Sequence, residues 1–204
     1  MSFRNFKLED ISAKLHLNVS QERLFKKISP IIPSDLFIRW RRMTRDVPLH
    51  MERAVSETLI FPMLLDLKIQ NENYFAIHSG ENLDVDKKRD LSGRCDYILD
   101  RNINIPSATS VFHSPFLVLL DTKDVNKSVP HCIAQMQALK IYNEKTGNPL
   151  SFIFGCVTDA DQWQFIKIIN DNVYIDSEKF YLVNISLIFG AFQQILDFYK
   201  QMFN

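Results

Sequence analysis

The sequence predicts an α/β fold, a mixed β-sheet flanked by helices on its faces and preceded by an N-terminal helical extension. Three observations point to it. The apolar period changes from about 3.6 residues before position 70 to 2 after it. The order of segments is helix, three strands, helix, further strands, helix, which suits a sheet covered on both sides. Sixteen Phe against five Gly suit packed helices over a loop-rich scaffold. A chain of 204 residues can bury a sizeable core. The expected division is an extension over 1–48 and a main domain over 49–204.

In chain order, residues 8–16 and 20–29 read as short helices, with Ser20 as a cap for QERLFKKI. Ser34 or Asp35 caps a helix over LFIRWRRM. Residues 49–69 have strong helical propensity, and Pro62 should kink or split them because an interior proline removes a hydrogen bond and clashes with the preceding turn. The strand candidates are YFAIHS, GRCDYILD, PFLVLLDTK, SFIFGCV, QWQFIKII and NVYI. Between the third and fourth lies a helix over 131–148, with Cys132, Met136 and Leu139 toward the core and Gly147 as its stop. The last helix, ISLIFGAFQQILDFYKQMF, is apolar around much of its circumference and needs covering by the sheet or by a second subunit. Two polar stretches, 79–93 and 100–114, read as loops.

Charge and cysteine usage narrow the function classes. Equal numbers of basic and acidic residues, 24 each, argue against strong nonspecific nucleic-acid binding. Residues 1–50 nevertheless hold ten Lys or Arg against five Asp or Glu. Within them Arg39, Arg41, Arg42 and Arg45 surround Trp40. Arg forks match phosphate and Trp stacks on bases, so this is a nucleic-acid contact or else a solvated helix face. Cys95, Cys132 and Cys156 are widely spaced and set among apolar neighbours, which suits buried reduced thiols better than a zinc site or disulfides. The start MSFRNFKLED is polar and no run approaches 18 consecutive apolar residues, so the expectation is a cytoplasmic protein with no membrane partner.

The chemistry concentrates where PFLVLLDTKD ends in Asp121 and Lys123. Residues two apart on a strand share a face about 6 to 7 Å apart, so the pair aims at one spot. Asp-x-Lys is common by chance, and Asp66-x-Lys68 and Asp86-x-Lys88 are further instances in this chain. Only the triplet at Asp121 ends an apolar strand. The preceding candidate, GRCDYILD, alternates Cys95, Tyr97 and Leu99 on one face with Arg94, Asp96 and Ile98 on the other. If the two strands pair antiparallel, Asp96 approaches Asp121 and Lys123. Glu57, in the long helix before them, is a third acid, unless it pairs with Arg53 four residues earlier. Clustered carboxylates repel unless a cation lies among them. Oxygen ligands without His or Cys suit Mg²⁺ or Mn²⁺. His50, His78 and His113 show no metal-ligand spacing.

In this order, SETLIFPMLLDL, SGRCDYIL, VLLDTKD, HCIAQMQALKIYN and FGCVTDADQWQFIKI resemble the PD-(D/E)XK nuclease superfamily, and within it a bacterial restriction-endonuclease-like group. The resemblance covers roughly residues 49–182. Cys95 stands where the superfamily's name has Pro, and Asp121 where the closer group usually has Glu. The resemblance implies a restriction-endonuclease-like fold and a Mg²⁺- or Mn²⁺-dependent endonuclease acting on DNA, in a bacterial defence or restriction system. It makes Asp96 and Asp121 metal ligands, Glu57 a further ligand, Lys123 the catalytic lysine and Gln135 the superfamily's helix Gln. The alternative is a binding or assembly subunit that keeps the fold without turnover. A homodimer or partner subunit would meet the chain through the C-terminal helix or, for the binding subunit, through the N-terminal helices.

Overall fold

The computed structural model describes residues 3, 6–47, 52–101, 112–121 and 124–203, without the side chains of 52 and 119–121. The elements are α1 (Leu8–Leu15), β1 (Asn18–Glu22), α2 (Asp35–Met43), α3 (Glu52–Val55), a π-helical turn (Ser56–Ile60), α4 (Phe61–Gln70), β2 (Phe75–Ser79), β3 (Asn82–Asp86), β4 (Leu91–Arg94), β5 (Tyr97–Arg101), β6 (Pro115–Asp121), α5 (Val125–Lys145), β7 (Phe152–Thr158), β8 (Gln162–Ile169), β9 (Asn172–Asp176), β10 (Phe180–Tyr181) and α6 (Ile185–Phe203). The fold is mixed α/β. An eight-stranded sheet runs β1-β9-β8-β7-β6-β5-β2, with β10 on β8. β6 pairs parallel with β7, as β1 does with β9, and the other neighbours are antiparallel. Parallel neighbours need a long crossover, and α5 provides it between β6 and β7.

Helices cover the sheet on both faces and make two cores. One holds Leu59, Met63 and Leu64, then Tyr97, Leu117 and Phe165 from the sheet, and Phe192 of α6. The other holds Ile11 of α1 and Cys132, Ile133 and Met136 of α5 against Ile98, Val118, Val157 and Ile166. Covering on both sides is why β7 and β8 read as near-continuous apolar runs. Trp163 and Phe165 are fully buried. The tail helix α6 finds its cover on the sheet, through Ile188, Phe189, Phe192, Ile195 and Tyr199. By length and composition Leu182–Phe203 could cross a bilayer, yet 44% of its apolar window is buried inside the protein.

Local structure departs from the sequence expectation in three places. Residues 20–29 are not helical. Val19 and its neighbours form β1 alongside β9, and Phe25 enters the core, so tertiary pairing overrides a weak helical preference. Residues 79–93 are not a loop. They fold as the β3–β4 hairpin, whose turn is capped by the Asp86 carboxylate accepting from the backbone of Lys88 and Arg89, and Leu83 and Leu91 pin it to the α5-side core. The strand expected over 93–100 is interrupted: β4 ends at Arg94 and β5 begins at Tyr97. The stretch 102–111 of the second expected loop lies outside the described residues. Its return into β6 is held by the buried Asp100 carboxylate, which accepts from the backbone N–H of His113 (2.7 Å) and Ser114 (2.6 Å).

Two other expectations hold, and one helix boundary shifts. Ser34 is the N-cap of α2, its hydroxyl accepting from Phe37 N. The helix before the sheet widens into a π turn immediately ahead of Pro62, which then sits in the first turn of α4 where its missing N–H costs least. Helix α5 begins earlier than expected, at Val125, because Asp124 caps it by accepting from Lys127 N.

Helix α5 packs hard on β7 at Gly155, where a Cβ would run into Met136 Sδ and Cys132 Sγ. Gly155→Ala should therefore lower the unfolding free energy by about 1–3 kcal/mol, read from urea melts, because a well-packed core resists an added methyl group.

Candidate functional site

A polar cleft of about 730 Å³ opens where the π turn meets the break between β4 and β5. Its walls include Glu57 from the π turn, Asp96 from the break, Arg53 from α3, Arg94 from β4 and Ser79 from β2. Glu57 and Asp96 thus share one space although 39 positions separate them.

The break is what delivers Asp96. Regular alternation would put Cys95 on the Tyr97 face and Asp96 on the Ile98 face. Instead Cys95 packs with Ile98 in the α5-side core while Asp96 lines the cleft beside Tyr97. The irregular backbone keeps its hydrogen bonds. Cys95 N donates to Glu81 O (2.9 Å) and Gly80 N donates to Asp96 O (2.8 Å). Gln135 Nε2 donates to Arg94 O (3.2 Å).

A latch beside the two acids joins the elements that carry them. The buried Tyr97 hydroxyl is hydrogen-bonded to Ser56 Oγ and donates to the Ser56 carbonyl. Ser56 precedes Glu57 and Tyr97 follows Asp96, so each acid is one residue from the same contact. Arg53 Nε donates to Glu57 Oε1 at 2.8 Å across a solvent-exposed turn. Glu57 therefore makes the structural pair that its spacing allowed and faces the cleft as well. Gly80, with φ +71°, leaves the room into which the Arg94 guanidinium folds; a side chain there would strike it.

The remaining expected residues fall differently. Asp121 ends β6, its backbone paired with Thr158. Antiparallel pairing of Tyr97 with Leu119 brings the start of β5 and the end of β6 to one edge of the sheet, as the sequence expectation required. The Asp121 side chain and the whole of Lys123 lie outside the described residues. Gln135 is not in the cleft. It is fully buried, sharing a 3.1 Å contact with His131 Nε2 and holding the Arg94 carbonyl, which makes it a positioning contact behind Asp96. Of the four arginines on and after α2, Arg39, Arg42 and Arg45 are exposed. Arg41 is half-buried, and desolvation lowers its pKa.

Sequence reasoning missed the cleft's Arg94 and the Ser56–Tyr97 latch. An Arg two residues before Asp96 was a visible signal for the first. Nothing in the sequence pairs positions 56 and 97. Among the described residues no three of His, Cys, Asp and Glu gather in a way that could hold a metal ion. The acids that line the cleft, Glu57 and Asp96, offer oxygen, which suits a hard divalent ion. Cys95 and Cys132 lie on the far side of the break, and burial holds both thiols protonated, Cys132 being pushed up to about 12. In comparisons with known proteins, no family model matches this chain and no curated protein matches it.

Two measurements probe this architecture. Tyr97→Phe should cost about 0.5–1.5 kcal/mol in denaturant melts, the usual worth of a lost hydrogen bond, and a double-mutant cycle with Ser56→Ala should show coupling between the two side chains. All three thiols are buried and their pKa values are raised by desolvation, so at pH 8 they should resist a thiol-disulfide reagent in the native protein and react fully once it is unfolded.

Proposed function

We propose that this chain is a metal-dependent endonuclease that hydrolyses DNA phosphodiester bonds, built on a restriction-endonuclease-like sheet and working in the bacterial cytoplasm in a defence or restriction system. The observation that carries the reading is the meeting of Glu57 and Asp96 in one cleft with Arg53 and Arg94, at the sheet edge where β6 ends in Asp121.

Asp96 and Glu57, with Asp121 assigned by the resemblance, would hold Mg²⁺ or Mn²⁺. Bound there, such an ion acidifies a coordinated water and offsets charge on the phosphate. The protein's own groups do the rest. Arg94 presents a planar fork that matches two phosphate oxygens. Arg53 offers a second positive charge, and Glu57 becomes free to bind the ion as Arg53 turns to the phosphate. Lys123 is assigned to orient the attacking water and to balance developing charge. Gln135 holds the Arg94 carbonyl and so keeps Asp96 at the cleft wall. The exposed Arg39, Arg42 and Arg45 supply phosphate contacts on and just after α2. A homodimer or partner subunit at the C-terminal helix would rest on its exposed Phe198 and Met202 and on the neighbouring Val183.

The Arg53–Glu57 ion pair favours a second reading, a nuclease-fold subunit that binds without turnover, because a Glu already satisfied by Arg needs no metal.

Calorimetry with Mn²⁺ separates the two. The nuclease reading expects binding in the parent and its loss in Asp96→Asn. No heat in either protein would leave the binding subunit as the answer. A panel of linear, circular and single-stranded DNA and RNA with Mn²⁺ should then show cleavage that Lys123→Ala lowers about a hundredfold or more. Equal cleavage by that variant would assign the activity to a contaminant and overturn the proposal.

A further inference from the structure

An apolar slot of about 250 Å³ adjoins the polar cleft, with Leu36 and Trp40 of α2 on one side and Phe61, Pro62 and Leu65 of α4 on the other. Glu57 and Phe61 line both spaces, so slot and cleft are neighbours. The aromatic walls are open to solvent, Trp40 being 39% and Phe61 41% exposed.

The slot is preformed. Trp40 Nε1 donates to Thr58 O at 2.9 Å, which locks the indole plane. The start of α2 is tied to α4 by the buried Asp66, whose carboxylate accepts from Ser34 N (3.0 Å) and from the Ser34 hydroxyl. A ligand entering here has little side-chain entropy left to remove.

Size and charge select the occupant. A slot below the roughly 300–1,000 Å³ of drug-sized sites takes a single ring system, whereas a partner helix needs a groove for several anchors. The charged groups in the slot's own walls are Glu57, which is paired with Arg53, and Asp66, whose carboxylate is taken up by Ser34, so the free positive charge stands beside the slot and not in it. Arg53 and Arg94 stand in the adjoining cleft. Arg39, exposed, comes three residues after Leu36 and four before Met43, so it borders the slot's helical stripe. A flat apolar ring joined to a polyanionic backbone describes a nucleotide strand.

We propose that this slot stacks one unpaired base of a nucleic-acid strand whose neighbouring phosphate lies in the cleft, so that the preferred substrate is single-stranded or frayed DNA. The inference rests on the reading of the cleft as a phosphodiester site. A base within intact duplex would have to leave its stack first, at a cost of a few kcal/mol.

The test uses the full chain with EDTA at one fixed salt concentration, titrated with a short oligothymidine, an all-abasic oligomer of equal length and a blunt duplex. The protein has two tryptophans, and Trp163 is fully buried, so a change in indole fluorescence reports Trp40. Oligothymidine should quench that fluorescence and bind about tenfold more tightly than the abasic oligomer, as loss of one base stack implies. It should also bind more tightly than the duplex. With affinity read from the anisotropy of a labelled oligomer, Trp40→Ala and, independently, Phe61→Ala should erase the difference between oligothymidine and abasic oligomer, while Trp40→Phe keeps it. Equal affinity for the three oligomers, or binding without quenching, overturns the proposal. So does a fluorescence change that follows protein dilution and ignores oligonucleotide, which assigns the slot to a second copy of the chain. The two readings fail separately. Quenching by oligothymidine without Mn²⁺-dependent cleavage of any substrate leaves the base slot standing and removes hydrolysis. Cleavage of duplex and single strand alike without quenching removes the slot and leaves hydrolysis standing.

Discussion

Helices on both faces of a sheet make an unpaired carboxylate costly inside its strands, so an acid is best placed at a strand end or where the ladder is broken. The interruption between Arg94 and Tyr97 meets that constraint. Continued as a regular strand, it would carry Asp96 under α5, among Ile98, Cys132 and Ile133, where an unpaired carboxylate is costly. Two residues of irregular backbone put Cys95 there instead and turn Asp96 to the open side. The backbone groups released by the break are taken up by Glu81, Gly80 and Gln135, so the irregularity leaves these polar groups satisfied.

The other half of the cleft depends on a proline. Pro62 has no N–H to offer the Thr58 carbonyl four residues back, and the indole of Trp40 donates to that carbonyl instead. The π turn ahead of it carries Ser56, which meets Tyr97, and Glu57, which faces the cleft. One local defect in a helix therefore ties together the basic helix α2, the helix leading into the sheet and the first strand at the site. The polar cleft and the apolar slot are two sides of that junction, which is why they share Glu57 and Phe61.

Zero net charge conceals a spatial sorting. Asp66, Asp100 and Asp176 are spent inside the protein on backbone and side-chain donors. Arg39, Arg42 and Arg45 stay in solvent on and just after α2, and Arg53 and Arg94 stand in the cleft beside Glu57 and Asp96. The chain is neutral as a whole and locally suited to an anionic ligand, a distinction that composition does not carry.

Most elements were legible because they obey periodicity. The alternating runs over β2 and β9, the near-continuous apolar runs over β6, β7 and β8 and the apolar faces of α4, α5 and α6 mark these segments as strands and helices. That Glu57 and Asp96 share a site was implied by the resemblance, while strict alternation along the strand would have turned Asp96 away from it. In place of the helix expected over 20–29, the chain pairs with β9 as far as Glu22 and then runs irregularly with Phe25 in the core, and the polar 79–93 became a hairpin because Leu83 and Leu91 reach the α5-side core. Gln135 read as a site residue on the polar edge of its helix, yet it is buried against the Arg94 carbonyl, a contact between segments 41 positions apart. The amino-acid order alone determined which residues form strands and helices and which acids stand at their ends, since those depend on neighbours along the chain. Only the tertiary structure decided which face Asp96 takes, what fixes the Trp40 ring and where the arginines gather, because each depends on a hydrogen bond or contact between segments far apart in sequence.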